Sequence, residues 1–345
     1  MVMDLVFRVR HRPGPGETAI GEHFGMFLGG KGFNQAIACR RLGADVTFVG
    51  RCGADEFGHR FVAALEREGI TPVVELDQAE GTAVACPTVD AAGQNSIVVV
   101  PRANMRLAPA DVERARSAIA AADVLMLQFE VNLAASRRAA EIARSAGTLV
   151  LLDPAPAPHT HGDVAETKRG KGEGQMTRQA RKGRRTESGL ATLSFPIVSS
   201  LGPGTSSFHT GGIAVDVLVP NEHEAAALAH SDRPEDWPAR LLAPGMRALV
   251  VSLGEQGAVV YASSGRQEYP AFRVEAVDST GAGDAFRGGL AVMLAQGRPM
   301  DEAVRFANAC GALACTVLGA EPSMPRREAV ERLSATTEQR PRGAN

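Results

Sequence analysis

The chain has 345 residues, 44% of them hydrophobic and 22% charged, which bounds it to a globular protein of one large α/β domain or two smaller ones. A formal net charge of −2 supplies no whole-chain field for nucleic acid or a membrane surface, so neither is expected as a partner. Five cysteines, an odd set with no C-x-x-C pair, argue against a disulfide framework and for reduced thiols in a cytoplasmic protein.

Met1 to Arg12 mixes Asp4 with several arginines and does not read as a signal peptide, and no run approaches the roughly 20 apolar residues of a membrane span. Leu5 to Val9 alternates as a strand, Arg12 to Gly16 breaks it, and Thr18 to Leu28 can return as a second strand. A glycine-rich turn, Gly29-Gly30-Lys31-Gly32, then opens a helix that carries Phe33, Ile37 and Arg41 four apart and stops at Gly43. Asp45 to Gly50 is a buried strand, and Asp55 caps a helix from about Glu56 to Glu68. Thr82 to Val89 and Asn95 to Val100 read as a hairpin. It is the second strand pair outside a βα rhythm, so both pairs are expected in one small accessory sheet. From Pro109 the rhythm is regular: helix to Ala121, strand Asp123 to Gln128, helix Asn132 to Ser145, strand Thr148 to Asp153. Alternation of this kind implies a mostly parallel sheet with helices on both faces.

From Pro154 to about Gly212 periodicity fails. Glu166 to Gly189 holds eight Lys/Arg and three Glu without aromatics between them, the composition of a solvated insertion rather than a nucleic-acid surface. Order returns at Val215 to Val219, a strand closed by Pro220 and an acidic helix start. Ala248 to Leu253 and Ala258 to Ala262 are strands around the Gly254 to Gly257 turn, and a last helix runs from about Met300 to Val317.

The sharpest signal is Val277-Asp278-Ser279-Thr280-Gly281-Ala282-Gly283-Asp284-Ala285-Phe286, read as a strand end, a tight glycine turn and a buried helix. Gly281, Ala282 and Gly283 then lie at a helix N-terminus, where open N–H groups and the dipole favour an anion. Asp284 beside such an anion is repelled by it, unless it acts as a base on a hydroxyl that attacks a terminal phosphate. The plainer alternative is an acidic first-turn residue favoured by the dipole.

Gly25 to Gly32 nearly matches a P-loop but ends in Gly32, which has no hydroxyl for magnesium, and that reading is rejected. Gly29 and Gly30 instead let a polyhydroxylated ligand approach the backbone, with Asn34 able to bond its hydroxyls; a solvated Asn34 is the alternative. Asn221 and Glu224 share one face of a helix start and suit hydrated magnesium through water, against ordinary helix capping. His159 and His161 fall in the aperiodic stretch and carry no zinc reading.

Together Gly29 to Ala36, Pro154-Ala155-Pro156-Ala157, Pro220 to Glu224 and Asp278 to Asp284 make the chain resemble the ribokinase-like (PfkB) family of carbohydrate kinases. The similarity runs from about Asp4 to Pro154 and resumes from about Val215 to Leu333. The resemblance implies a Rossmann-like α/β domain over 1–333 with a small β-sheet lid (about 4–28 and 82–100), often used for dimerisation, and hence a homodimer. A basic insertion (about 159–212) and a frayed tail (334–345) complete the organisation. It also implies ATP-dependent phosphorylation of a sugar hydroxymethyl group, D-ribose foremost. Asp284 would be the base and Gly281, Ala282 and Gly283 the anion hole. Asp4, Gly30, Lys31, Asn34 and Glu130 match positions that hold sugar hydroxyls. Asn221, Ser252, Gly254, Gly257, Gly283 and Asn308 match the ATP side, and Glu224 would reach Mg2+ through water. Asp278, Thr280, Ala314, Val317, Gly319 and Ser323 align with a loop for K+, the monovalent activator.

Family members usually begin with a further strand carrying Gly-Ser, with an Asn two residues before the sugar-binding Asp; here Val2 stands in that place. Without such a strand, two neighbouring sheet edges are expected to lie open. Two other readings stay open: a kinase for another sugar or nucleoside, and a silent sugar-binding relative.

Overall fold

The computed structural model describes residues 1–91, 94–156 and 210–336. The basic insertion thus lies outside the described residues except for 210–212. The same holds for the C-terminal tail, of which 334–336 instead close the last helix.

β1 (Val2–Arg8) and β2 (His23–Gly29) pair antiparallel, with Val2 opposite Gly29 and Asp4 opposite Phe27. α1 (Lys31–Arg41) follows directly, then β3 (Thr47–Gly53), α2 (Glu56–Arg67) and β4 (Thr71–Asp77), with β3 and β4 parallel. Asp55 starts α2 as expected, its carboxylate accepting from the Gly58 N–H at 2.9 Å. β5 (Ala83–Val89) and β6 (Asn95–Val100) form the hairpin, and β5 runs parallel to β1. The two irregular strand pairs therefore join in one four-stranded sheet, ordered β2-β1-β5-β6.

The single helix expected over Pro109 to Ala121 is two short ones, α3 (Pro109–Glu113) and α4 (Arg116–Ala121). The break falls at Ala115, whose φ of −100° and ψ of 8° leave the helix; the buried Asp111 anchors the first turn, its carboxylate accepting from the Ala108 N–H and pairing with Arg51 and Arg114. β7 (Val124–Gln128), α5 (Leu133–Ala146) and β8 (Leu149–Asp153) continue the alternation. Beyond the undescribed stretch come β9 (Val217–Leu218), α6 (Glu222–Ala229), α7 (Trp237–Leu241), β10 (Ala248–Ser252), β11 (Ala258–Ala262) and β12 (Gly265–Tyr269). α8 (Ala282–Ala295), α9 (Met300–Ala314), α10 (Ala320–Ser323) and α11 (Arg327–Thr336) end the fold.

The expected strand end at Val277 is not there. Residues 271–278 cross as a loop, whose Val277 and Asp278 N–H groups both donate to the Cys315 carbonyl just past α9, at 2.7 and 3.1 Å. Val277 is 64% exposed, so its β-branched side chain has no core to fill and its propensity does not decide.

β12-β11-β10-β9-β8-β7 form the main sheet, parallel from β7 to β10 and antiparallel beyond. Alternate residues of its buried strands feed opposite layers. Leu149 and Leu151 pack with Phe33 and Ile37 of α1, Leu290 of α8 and Phe306 of α9. Val150 and Leu152 pack with Ile142 of α5, Leu228 of α6 and Trp237 of α7. β3 and β4 continue these layers, with Phe48 in the first and Val49 and Val73 against the second. Yet β3 and β7 each end a separate sheet, so the central layer is interrupted between two open edges. The Met1 side chain reaches this region, with its Cε near Gly50 of β3.

Candidate active site

Gly281 has φ 82°, a left-handed turn that a side chain would resist, and it delivers the chain into α8. By helix geometry the N–H groups of the first turn, Ala282 to Asp284, have no intrahelical acceptor; that of Ala282 donates to the Ser279 carbonyl at 3.2 Å. Asp284 is 7% exposed and is held at both oxygens. Asn34 Nδ2 donates to Oδ2 at 2.9 Å and Gln35 Nε2 to Oδ1 at 3.0 Å. Both donors come from α1, whose start is set by Gly30: its φ is 94°, and a Cβ there would stand 2.9 Å from the Val2 nitrogen. The alternative of a solvated Asn34 is overturned, because Asn34 is 5% exposed. Its Oδ1 is buried without a hydrogen-bond partner and remains as an acceptor beside Asp284.

The other residues aligned with sugar contacts gather around this pair. The Lys31 N–H donates to Glu130 Oε2 at 2.8 Å, and Lys31 Nζ lies 3.5 Å from Asp153 Oδ2. Asp4, on β1, faces Gly29 so closely that any side chain there would collide with its carboxylate. Burial first, and Glu130 second, push Asp4 up to about 7. Burial also raises Glu130, against the pull of the Met1 amine and Lys31. Burial would lower Lys31, but Asp153, Asp284 and Glu224 outweigh it and leave its ammonium above the ordinary value. The cluster is therefore acidic, with one lysine embedded in it.

Asn221 and Glu224 form a complete capping box at the start of α6: each side chain accepts the other's N–H at 2.8 Å. Helix capping is therefore present whatever else Glu224 does, and the same Oε2 takes a hydrogen bond from Arg287 Nη2 at 3.1 Å. Ser252 ends β10 and bridges to Asn221, while Gly254 and Gly257 bound the turn into β11. Asn308 lies deeper, its amide donating to the Tyr269 and Pro270 carbonyls at 3.0 and 3.2 Å.

The two segments aligned with potassium are tied together. The Gly319 N–H donates to Asp278 Oδ2 at 2.8 Å, and Thr280 donates through N–H and Oγ1 to Asp278 Oδ1. Burial would raise Asp278, but these bonds hold its carboxyl below the usual range. Ser323 Oγ donates to the Ala320 carbonyl, while Ala314 ends α9 and the exposed Val317 follows. Among the described residues no three His, Cys, Asp or Glu side chains converge as a metal cage. Hydrated magnesium typically binds through one or two carboxylates and substrate phosphates, and Glu224, with its side chain 12% exposed, is the carboxylate here that could serve such an ion.

Sequence reasoning missed Gln35, Asp153 and Arg287. Gln35 Nε2 bridges Asp284 and Asp153, at 3.0 and 2.8 Å. Asp153 is fully buried and Arg287 is 2% exposed. The signal was a lone charge in an apolar run: Asp153 closes Leu149–Leu152, and Arg287 interrupts Ala285 to Met293.

The family model described as pfkB family carbohydrate kinase matches residues 1–167 and 198–327. The chain belongs to this family of carbohydrate kinases. Among pfkB relatives, ribokinase from Bacillus subtilis is 33% identical over 336 residues, covering 96% of each chain. Fructokinase-1 from Oryza sativa subsp. japonica is also 33% identical, over 319 residues, covering 88% of this chain and 87% of its own. The structure of Arabidopsis thaliana ribokinase complexed with ribose and ATP matches with a TM-score of 0.74 and 26% identity over 96% of both chains. The pfkB fold accounts for the α/β layers and the small lid sheet. Among the described residues no helix is long and apolar enough to cross a membrane.

Proposed function

We propose that this carbohydrate kinase transfers the γ-phosphoryl group of ATP to the hydroxymethyl oxygen of D-ribose. The observation that carries the reading is Asp284: a buried carboxylate at a helix N-terminus, held at both oxygens by Asn34 and Gln35. Asp284 takes the proton of the acceptor hydroxyl as that oxygen attacks phosphorus. The N–H groups of Gly281, Ala282 and Gly283 meet the charge that builds on the transferring group. Asn34 Oδ1, Asp4, Glu130, Gly30 and Lys31 hold the sugar hydroxyls. Asn221, Ser252, Gly254, Gly257, Gly283 and Asn308 line the nucleotide side. Glu224 would hold magnesium, which when bound would supply charge neutralisation of the triphosphate. Asp278, Thr280, Ala314, Val317, Gly319 and Ser323 would hold potassium, which when bound would add positive charge near the anion hole.

The protein acts as a homodimer through its lid. β6 is an edge strand exposed along its whole length, and Ile97 to Val100 are 48–68% exposed. An apolar edge of this kind is stable in water when a second copy covers it. All five cysteines are free, which supports a cytoplasmic enzyme.

D-fructose is the second acceptor to test, because the fructokinase relative has the same 33% identity as the ribokinase one, over a shorter span. The experiment is ADP release from magnesium ATP with potassium, with no sugar, D-ribose, D-fructose or 2-deoxyribose. Ribose-dependent release with the highest kcat/KM supports the assignment; a higher value for another sugar replaces the acceptor. Asp284→Asn is expected to keep sugar and nucleotide binding by calorimetry and to lose about 100- to 10,000-fold in kcat. Undiminished turnover would remove Asp284 from the role of base.

A further inference from the structure

Arg287 lies one helical turn after Asp284 and reaches towards the start of α6. Its Nε donates to the Val219 carbonyl at 3.0 Å and its Nη2 to Glu224 Oε2 at 3.1 Å. The same Nη2 stands 3.1 Å from Asp153 Oδ1. No hydrogen bond closes on that oxygen, so charge rather than a well-aligned bond holds this contact. The other oxygen, Oδ2, takes Gln35 Nε2 at 2.8 Å and faces Lys31 Nζ at 3.5 Å. Gln35 is fixed in turn, since Gln128 Nε2 donates to its Oε1 at 2.7 Å. A continuous buried path therefore runs from Asp284 through Gln35, Asp153 and Arg287 to Glu224. It joins α8, α1 and the ends of β8 and β9 to the start of α6.

We propose that Arg287, backed by Asp153, is a positioning residue that sets the Glu224 carboxylate for magnesium. The proposal rests on the reading of Glu224 as the magnesium-side carboxylate. Three carboxylates, Asp153, Glu224 and Asp284, share two cations, Lys31 and Arg287, in a region of little water. A guanidinium presents several donors in one plane and can hold two carboxylates and a carbonyl at once, whereas an ammonium is a point charge. Glu224 already closes its own helix cap, so its rotamer is narrow. Arg287 Nη2 ends on the same Oε2 as the cap N–H, so it locks that oxygen in place and leaves Oε1 as the one a hydrated ion would meet. Groups that orient a metal's ligands in this way typically change metal affinity about 10- to 100-fold when lost.

Removing Arg287 alone strands the buried Asp153 charge and can cost the fold. The test is therefore the paired variant Arg287→Met with Asp153→Asn, which removes both charges, beside Arg287→Lys, which keeps the charge and loses the fork. The readout is melting temperature, with ADP plus EDTA, with ADP plus magnesium, and with D-ribose alone. A ligand that binds only the folded state stabilises it by RT ln(1 + [L]/Kd), so the rise in melting temperature tracks the ligand concentration relative to its Kd. In both variants the magnesium-dependent increment should titrate at about 10-fold higher magnesium; in Arg287→Lys, which leaves Asp153 against Lys31 and Gln35, the D-ribose increment stays within about two-fold of the wild-type concentration dependence. A magnesium titration unchanged in either folded variant overturns the proposal, because Arg287 then merely neutralises Asp153. Equal weakening toward D-ribose and magnesium in Arg287→Lys also overturns it, as general loosening. A wild-type protein with no magnesium increment removes the Glu224 reading itself, and the proposal with it.

Discussion

Asp4 is the residue where burial and chemistry compete most openly. In an unfolded chain it would titrate near 3.8; in the folded protein, burial and then Glu130 move it to about 7. Between those values the folded state keeps a proton that the unfolded state has lost. The contribution is therefore full below about pH 4, declines as pH rises towards 7, and is level above that. Asp4→Asn carries no such proton, so its melting temperature should gain on the wild type steadily from pH 4 to 7. Parallel melting curves across that range would show that Asp4 is solvated. The site's polar positions were legible to differing degrees. Asp284 and Asn34 stood in a glycine-rich frame that announced a ligand. Gln35, Asp153 and Arg287 did not, because their meaning depends on partners between 63 and 249 residues away along the chain.

Secondary elements were readable where periodicity and caps agreed. Asp55 and Asn132 each accept from an N–H in the first turn of their helices, and both starts were visible in the sequence. Elements that depend on tertiary contact were not. β4 follows α2 after a short turn and is polar enough to pass for a loop, and β12 is a strand only because β11 pairs with it. The opposite error occurred at Val277, where a β-branched residue in an exposed loop looked like a strand. Within the lid, β6 is the element with the clearest consequence. Val98 is 68% exposed and remote from Asp284, so Val98→Asp should leave the chemistry intact while placing like charges at the contact between copies. On the dimer proposed above, sedimentation should show a dimer for the wild type and a monomer for the variant. An unchanged sedimentation coefficient would move the contact away from β6.

At the scale of the whole molecule, the central layer is a sheet with a break in it. β8 has strand neighbours on both sides, whereas β7 and β3 each have one. Amides that face the break lack a ladder acceptor, and unpaired edge groups exchange with water more readily. Hydrogen–deuterium exchange should be faster over 124–128 and 47–53 than over 149–153; equal protection would mean that the two edges are closed in solution. The helices beside the break are, by contrast, wedged. A Cβ on Gly288 would come within 2.7 Å of Ala38, and one on Gly289 within 2.6 Å of the Cys310 sulfur, so α8 touches α1 and α9 with almost nothing between them. Such contact leaves Asp284 no room to travel. Asp4 instead rides on the lid sheet, so any change of shape at the site must be made there. On the proposed sugar site, its two halves then keep different clocks: one is permanent, and the other is remade at each visit. Under that proposal, how long a sugar stays, and so how quickly product leaves, is timed by the lid rather than by Asp284.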